Sequence, residues 1–385
     1  MSSIYRRTDL AAEMARRLVH PGVLDEGLRS GLFLSGLRRT GKTTFLMNDL
    51  IPALEQAGAL VIYVDLWSDT QSSPATLVRN ALRKTLSEVQ NPASSVLARL
   101  ARLRNLDVSA FGFKFAFKVE QVGAEGGTTL AEAIKALVEQ AQTTVVLIVD
   151  EVQHAITTEE GNQLLLALKA ARDAINPRPG TPGYFIFVGT GSHRALVSEL
   201  TARRNQAFAG ATSVPYPVLE GDYVNHLLQR LQADGLPNLP SLSVATQAFK
   251  TLGHRPEEMI RAMRQLVLHL PPGAKADEHL PTIAATLRAT AADLELSKLE
   301  PLGSLAVAVF DRIAMADGDV RRLYSNEAAA DYAQVIGREV RVDEVQPIVN
   351  ELLAANLIMR RGHGAYGITD PFVQEIWRER KQLLV

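Results

Sequence analysis

Gly36-Leu37-Arg38-Arg39-Thr40-Gly41-Lys42-Thr43 is the stretch that decides the fold. It satisfies G-x-x-x-x-G-K-[ST] at every fixed position. The glycines permit a turn tight enough for successive backbone N–H groups to point inward at phosphate oxygens. The helix expected from Thr43 and Thr44 onward adds the positive end of its dipole. Leu37, Arg38, Arg39 and Thr40 contribute mainly backbone to this cradle. Lys42 brings a mobile charge to the β- and γ-phosphates, and the Thr43 hydroxyl is a Mg²⁺ ligand. The ligand class expected here is ATP with Mg²⁺.

About a hundred residues downstream lies Val145-Val146-Leu147-Ile148-Val149-Asp150-Glu151. A continuous apolar run of this length is a strand buried on both faces. It delivers two carboxylates at its C-terminal end, where open α/β sheets bind ligands. Asp150 is suited to hold Mg²⁺ through water, and Glu151 to polarise the attacking water. An adjacent water-activating Glu argues for hydrolysis over phosphoryl transfer to a small molecule.

Between and beyond these motifs, apolar strands at 32–34, 60–66 and 185–188 alternate with helical patterns at 11–19, 74–103, 130–142 and 161–175. Alternation of this kind implies parallel βαβ units and a helix-flanked sheet. Phe111, Phe113, Phe115, Phe117 and Val119 alternate with small or charged residues, which predicts a period-two strand over 110–120. One face of it would be core, while Lys114 and Lys118 allow a hairpin that grips DNA or a partner. After Leu219 helices dominate: 222–233, 242–252, 256–270 and 281–297. From Leu302 the pattern becomes three helices and a hairpin around Gly362 and Gly364. Ser325 is expected to cap the second of these helices and Asp343 the third.

Composition limits the alternatives. With 41 Lys and Arg against 42 Asp and Glu, the chain has no global field to draw in nucleic acid or an anionic membrane. The absence of cysteine rules out disulfides, thiolate metal sites and a Cys nucleophile. The opening MSSIYRRTDL lacks an apolar signal core, and no apolar run approaches a membrane span. The expected location is the cytoplasm.

The motifs GLRRTGKTT, VIYVDLW, VVLIVDEVQ, IFVGTGSH, RRNQAF and GHRPEEM occur in the order found in AAA+ ATPases. The chain resembles the origin-recognition and STAND-like branch of that family, including its "predicted ATPase" groups, over nearly the whole length. The resemblance implies an α/β P-loop NTPase sheet in 1–220, a helical lid in 221–300 and a winged helix in 301–385. It also implies further site residues. Thr190, or Ser192 beside it, would be the polar sensor of the γ-phosphate. Arg203 and Arg204 stand where an arginine finger reaches a neighbouring subunit, although a solvated surface pair fits the same pattern. Arg255 resembles the second sensor, with Arg261 an alternative. Asp65 stands where relatives place a polar partner for the catalytic Glu. Tyr5, Arg6 and Arg7 fall where the family contacts adenine and ribose, although an ordinary N-terminal surface arm fits them better.

The implied activity is ATP hydrolysis by a switch or motor that oligomerises when ATP is bound and acts on DNA or a protein. The alternative is a slow-hydrolysing signalling or defence regulator whose tail meets protein only. Residues 301–385 carry ten Lys and Arg against twelve Asp and Glu, a net of −2. Only the wing tip, with Arg360, Arg361 and His363, is basic. DNA and protein therefore stand level as partners of the tail.

Overall fold

The computed structural model describes residues 4–69, 71–103, 113–156, 158–192, 196–197, 200–201, 206–362 and 364–382. The apolar runs become β1 (Leu32–Ser35), β2 (Leu60–Asp65), β3 (Val145–Asp150) and β4 (Phe185–Gly191). A short β5 (Thr212–Pro215), too polar to stand out in the sequence, completes the sheet. All five strands are parallel, in the order β2-β3-β4-β1-β5.

Side chains alternate across this sheet. Phe33, Val145, Leu147, Val149, Phe185 and Phe187 pack on one face, against the helices Pro74–Gln90, Leu130–Ala141 and Glu159–Ile175. Leu32, Leu34, Val146, Ile148, Ile186 and Val188 pack on the other, against Thr8–Val19 and the helix that follows the phosphate loop. Phe33, Phe187 and Phe208 form a buried aromatic cluster with centroids 4.5 to 5.5 Å apart. Burial of each such side chain contributes about 1.5–3 kcal/mol.

Two expectations between residues 74 and 120 need correction. The helix predicted over 74–103 is two, Pro74–Gln90 and Ser95–Leu103, because Asn91 and Pro92 break it. The strand predicted over 110–120 is not seen among the described residues, 113 onward. An irregular segment leads instead into a 3₁₀ turn at Val119–Gln121. The alternation still serves packing: Phe113 and Val119 are buried, and Phe115 stacks on Phe117 at 5.2 Å against the core.

The chain divides into two compact units, one of Met1–Gly36 with Lys42–Tyr216 and one of Leu37–Gly41 with Pro217–Val385. In the second, Gly221–Ala233, Leu242–Thr251, Pro256–His269 and Ala276–Leu296 are helices. The last begins five residues earlier than its pattern suggested and tolerates Pro281 near its start, within two turns of its first residue. The tail follows as helix Gly303–Met315, β6 (Val320–Arg321), helices Asn326–Ile336 and Val342–Ala354, the hairpin β7 (Ile358–Gly362) and β8 (Ala365–Ile368), and helix Pro371–Gln382. Its three-stranded antiparallel sheet runs β6-β8-β7. Ser325 caps its helix by accepting from the Ala328 N–H, as expected. Asp343 does not act as a cap: the N-cap is Arg341, and Asp343 lies in the first turn beside the helix dipole. Residues 221–300 and 301–385 fall in one unit, joined by Arg255–Asp370 at 2.6 Å and Arg288–Glu375 at 2.6 Å. Among the described residues no helix is long and apolar enough to cross a membrane.

Candidate nucleotide site

β4 lies between the strand that feeds the phosphate loop and the strand that ends in the two acids. Registers Ser35↔Gly191 and Val149↔Gly189 bring both motifs to the C-terminal edge of adjacent parallel strands. Gly36 N–H donates to the Gly191 carbonyl at 3.2 Å and Val152 N–H to the Thr190 carbonyl at 2.8 Å, which ties the loop and the acids to the same strand. In the loop, Gly41 takes φ +89° and Arg39 φ +64°, backbone that a glycine adopts freely and an arginine rarely. The Thr40 hydroxyl closes the turn by donating to the Leu37 carbonyl at 2.9 Å. Arg38 and Arg39 are exposed, and Arg39 faces Glu258 at 3.6 Å. Lys42 is buried and donates to the Gly36 carbonyl at 2.9 Å.

Asp150 is 1 % exposed and fully engaged. One oxygen accepts from the Thr43 hydroxyl at 2.6 Å and from Tyr63 at 3.4 Å. The other accepts from the Glu151 N–H at 3.0 Å and from the Thr190 hydroxyl. Burial and the Asp150 charge push the Tyr63 phenol far up, so it remains a donor. Thr43 and Asp150 thus present hard oxygen donors side by side, the chemistry Mg²⁺ selects. Among the described residues no group of three or more His, Cys, Asp or Glu could hold a metal by protein alone.

Glu151 sits at φ +56°, a strained setting for a residue with a side chain. Its Oε2 accepts from Ser192 Oγ at 2.8 Å, Ser192 N–H at 3.2 Å and Gln153 Nε2. Burial pushes this carboxyl up, but the Gln153 and Ser192 bonds and the Lys42 charge outweigh it and hold the group below its ordinary value.

The structure sorts the remaining expected residues. Thr190 is fully buried and bonds to Asp150, whereas Ser192 bonds to Glu151. Asp65 closes its own turn by accepting the Trp67 N–H at 2.8 Å, and Glu151 is held by Ser192 and Gln153 instead. Arg255 bonds to Asp370 and stacks over Phe372, and Arg261 pairs with Glu258 at 3.2 Å. Thr44 is exposed on the helix after the loop. Arg203, Arg204 and His363 lie outside the described residues, as does the Arg361 side chain. Sequence reading missed Gln153 and Tyr63, and missed the work done by Arg6, which pairs with the buried Asp49 at 2.6 Å. Pro52 was the available signal for Arg6. It removes the N–H that would bond the Asn48 carbonyl, the helix passes through a π turn at Leu46–Leu50, and Arg6 bonds that carbonyl instead.

Residues 26–197 match the AAA domain family. This region is an AAA domain. The AAA domain carries an ATP-binding P-loop, and the fold extends past it. A Walker-type ATPase of Pyrococcus abyssi is similar over 97 % of this chain and 97 % of its own, with TM-score 0.56 and 18 % identity. The Aeropyrum pernix ORC2 protein in its ADP form is similar over 99 % of this chain and 96 % of its own, with TM-score 0.56 and 11 % identity. At such identities the likeness is one of fold. No curated protein matches the chain in sequence.

Proposed function

We propose that this protein is a Mg²⁺-dependent ATPase that works as an oligomerising switch or motor upon a macromolecular partner. The observation that carries the reading is the 2.6 Å bond between Thr43 and Asp150, with Glu151 next in sequence and Lys42 beside Thr43. Thr43 and Asp150 would hold the Mg²⁺ that neutralises charge on the β- and γ-phosphates. Lys42 would exchange the Gly36 carbonyl for phosphate oxygens. Glu151 would orient and deprotonate water. That a relative of the same fold was solved in ADPNP–ADP complexes agrees with this ligand class. Residues 1–220, 221–300 and 301–385 would serve as motor, lid and partner-binding tail, with Arg203 or Arg204 completing a neighbour's site.

Protein is the favoured partner of the tail. The two cations that open helix Val342–Ala354 are neutralised locally, Arg338 by Glu344 at 2.9 Å and Arg341 by Asp343 at 2.6 Å. A helix meant for phosphates would leave such cations free. The test is steady-state ATP hydrolysis across a protein concentration series, with and without duplex DNA. A rate per subunit that rises with protein concentration and ignores DNA is expected. A rate indifferent to concentration removes the oligomer, and strong stimulation by DNA reverses the choice of partner.

A further inference from the structure

Gln153 and Ser192 come from different strand ends, and both converge on a single oxygen of Glu151. Ser192 supplies its hydroxyl at 2.8 Å and its N–H at 3.2 Å, and Gln153 supplies its amide N–H. The same amide reaches the Ser192 oxygen at 3.3 Å, so the three side chains close a ring. Among the described residues the other oxygen, Oε1, receives no hydrogen bond from the protein. Gln153 is 5 % exposed, and its own Oε1 is buried without a partner. Turning the amide over would aim that oxygen at a carboxylate, so the orientation is fixed by Glu151. A buried acceptor without a partner is uncommon and calls for a reason, which the hold on Glu151 supplies. The backbone makes room for it: a Cβ on Gly191 would lie 2.6 Å from Gln153 Oε1.

We propose that Gln153 and Ser192 are positioning residues that anchor Glu151 by Oε2 and so leave Oε1 to face the attacking water. In the step they serve, a water O–H bond breaks and its proton goes to Oε1. The oxygen bonds to the γ-phosphorus, and the bond to the β-phosphate oxygen breaks to release ADP. Ser192 then acts on hydrolysis through Glu151 and does not read the phosphate itself. This inference rests on the hydrolytic reading above.

The experiment compares hydrolysis and fluorescent ATP and ADP affinity for wild type, Ser192→Ala, Ser192→Thr, Gln153→Ala, the near-isosteric Gln153→Met, Glu151→Gln, and the Ser192→Ala/Glu151→Gln double variant. Loss of an outer-shell partner is expected to lower kcat about 10–100-fold, with KM and nucleotide affinity little changed. Ser192→Thr should recover most of the rate. In the Glu151→Gln background Ser192→Ala should lower the rate no further, because both act through one group. Full activity in Ser192→Ala and both Gln153 variants, a selective loss of ATP over ADP affinity in Ser192→Ala, or a further drop in the double variant overturns the proposal. Wild type no faster than Glu151→Gln would instead overturn the hydrolytic reading, and the positioning role with it.

Discussion

Asp150 and Glu151 are neighbours with opposite surroundings. Asp150 takes hydrogen bonds on both oxygens from Thr43, Thr190, Tyr63 and the Glu151 N–H, whereas Glu151 is held by one oxygen only. The left-handed backbone at Glu151 turns the chain between the two acids, so that under the proposed function one would serve the metal and the next the water. Lys42→Ala should abolish ATP binding in a fluorescent-nucleotide titration, since no other cation of the motif replaces its charge. Thr190→Val keeps the shape but takes a donor from the buried Asp150. It should destabilise the fold by about 1–3 kcal/mol in denaturant unfolding. The pairing of Thr43 with Asp150 was legible in the sequence because each motif carries its own geometry. The Ser192–Gln153 ring was not. It joins residues 39 positions apart through a loop and a strand end whose approach only the folded sheet sets.

At the scale of elements, the helix after the phosphate loop depends on a segment far from it in sequence. Pro52 leaves the Asn48 carbonyl without its helical donor, and Arg6 fills that place while pairing with Asp49. Arg6→Ala therefore strands both a carbonyl and a buried carboxylate. It should cost about 1–3 kcal/mol, measured by thermal unfolding of the full chain. Pairing it with Asp49→Asn should restore part of the loss. The strands β1 to β4 were legible because both faces are apolar, whereas β5 and β6 were not, being short and polar. Period-two phenylalanines predicted a strand at 110–120 and instead mark side chains that pack from an irregular segment. Alternation reports which side chains go inward, and it does not require a sheet partner. Gly191 shows the reverse case. A lone glycine at a strand end reads as a turn, yet a Cβ there would meet Val197 at 2.5 Å as well as Gln153. Gly191→Ala should lower both stability and hydrolysis.

At the scale of the whole molecule, the arginine expected to sense nucleotide is built into the second unit's own architecture. Arg255 and Asp370 are each less than a fifth exposed, bond at 2.6 Å, and hold helix Pro256–His269 to the turn before the last helix. Sequence motifs gave Arg255 a role by position alone, and Asp370, over a hundred residues away, offered no local signal of pairing. Arg255→Ala should loosen this contact, seen as faster proteolysis within 217–385, while ATP affinity stays near wild type. Asp370→Asn should do the same. A large loss of ATP affinity in Arg255→Ala alone would assign it to the nucleotide after all.

The central claim is that Glu151 activates water for an ATP bound at Lys42 and Thr43. Its most direct test is single-turnover hydrolysis of ATP by wild type and Glu151→Gln, each saturated with nucleotide and Mg²⁺. The account predicts equal ATP affinity and a rate at least about 100-fold lower in the variant, the scale of a general base. Equal rates in the two proteins would contradict it.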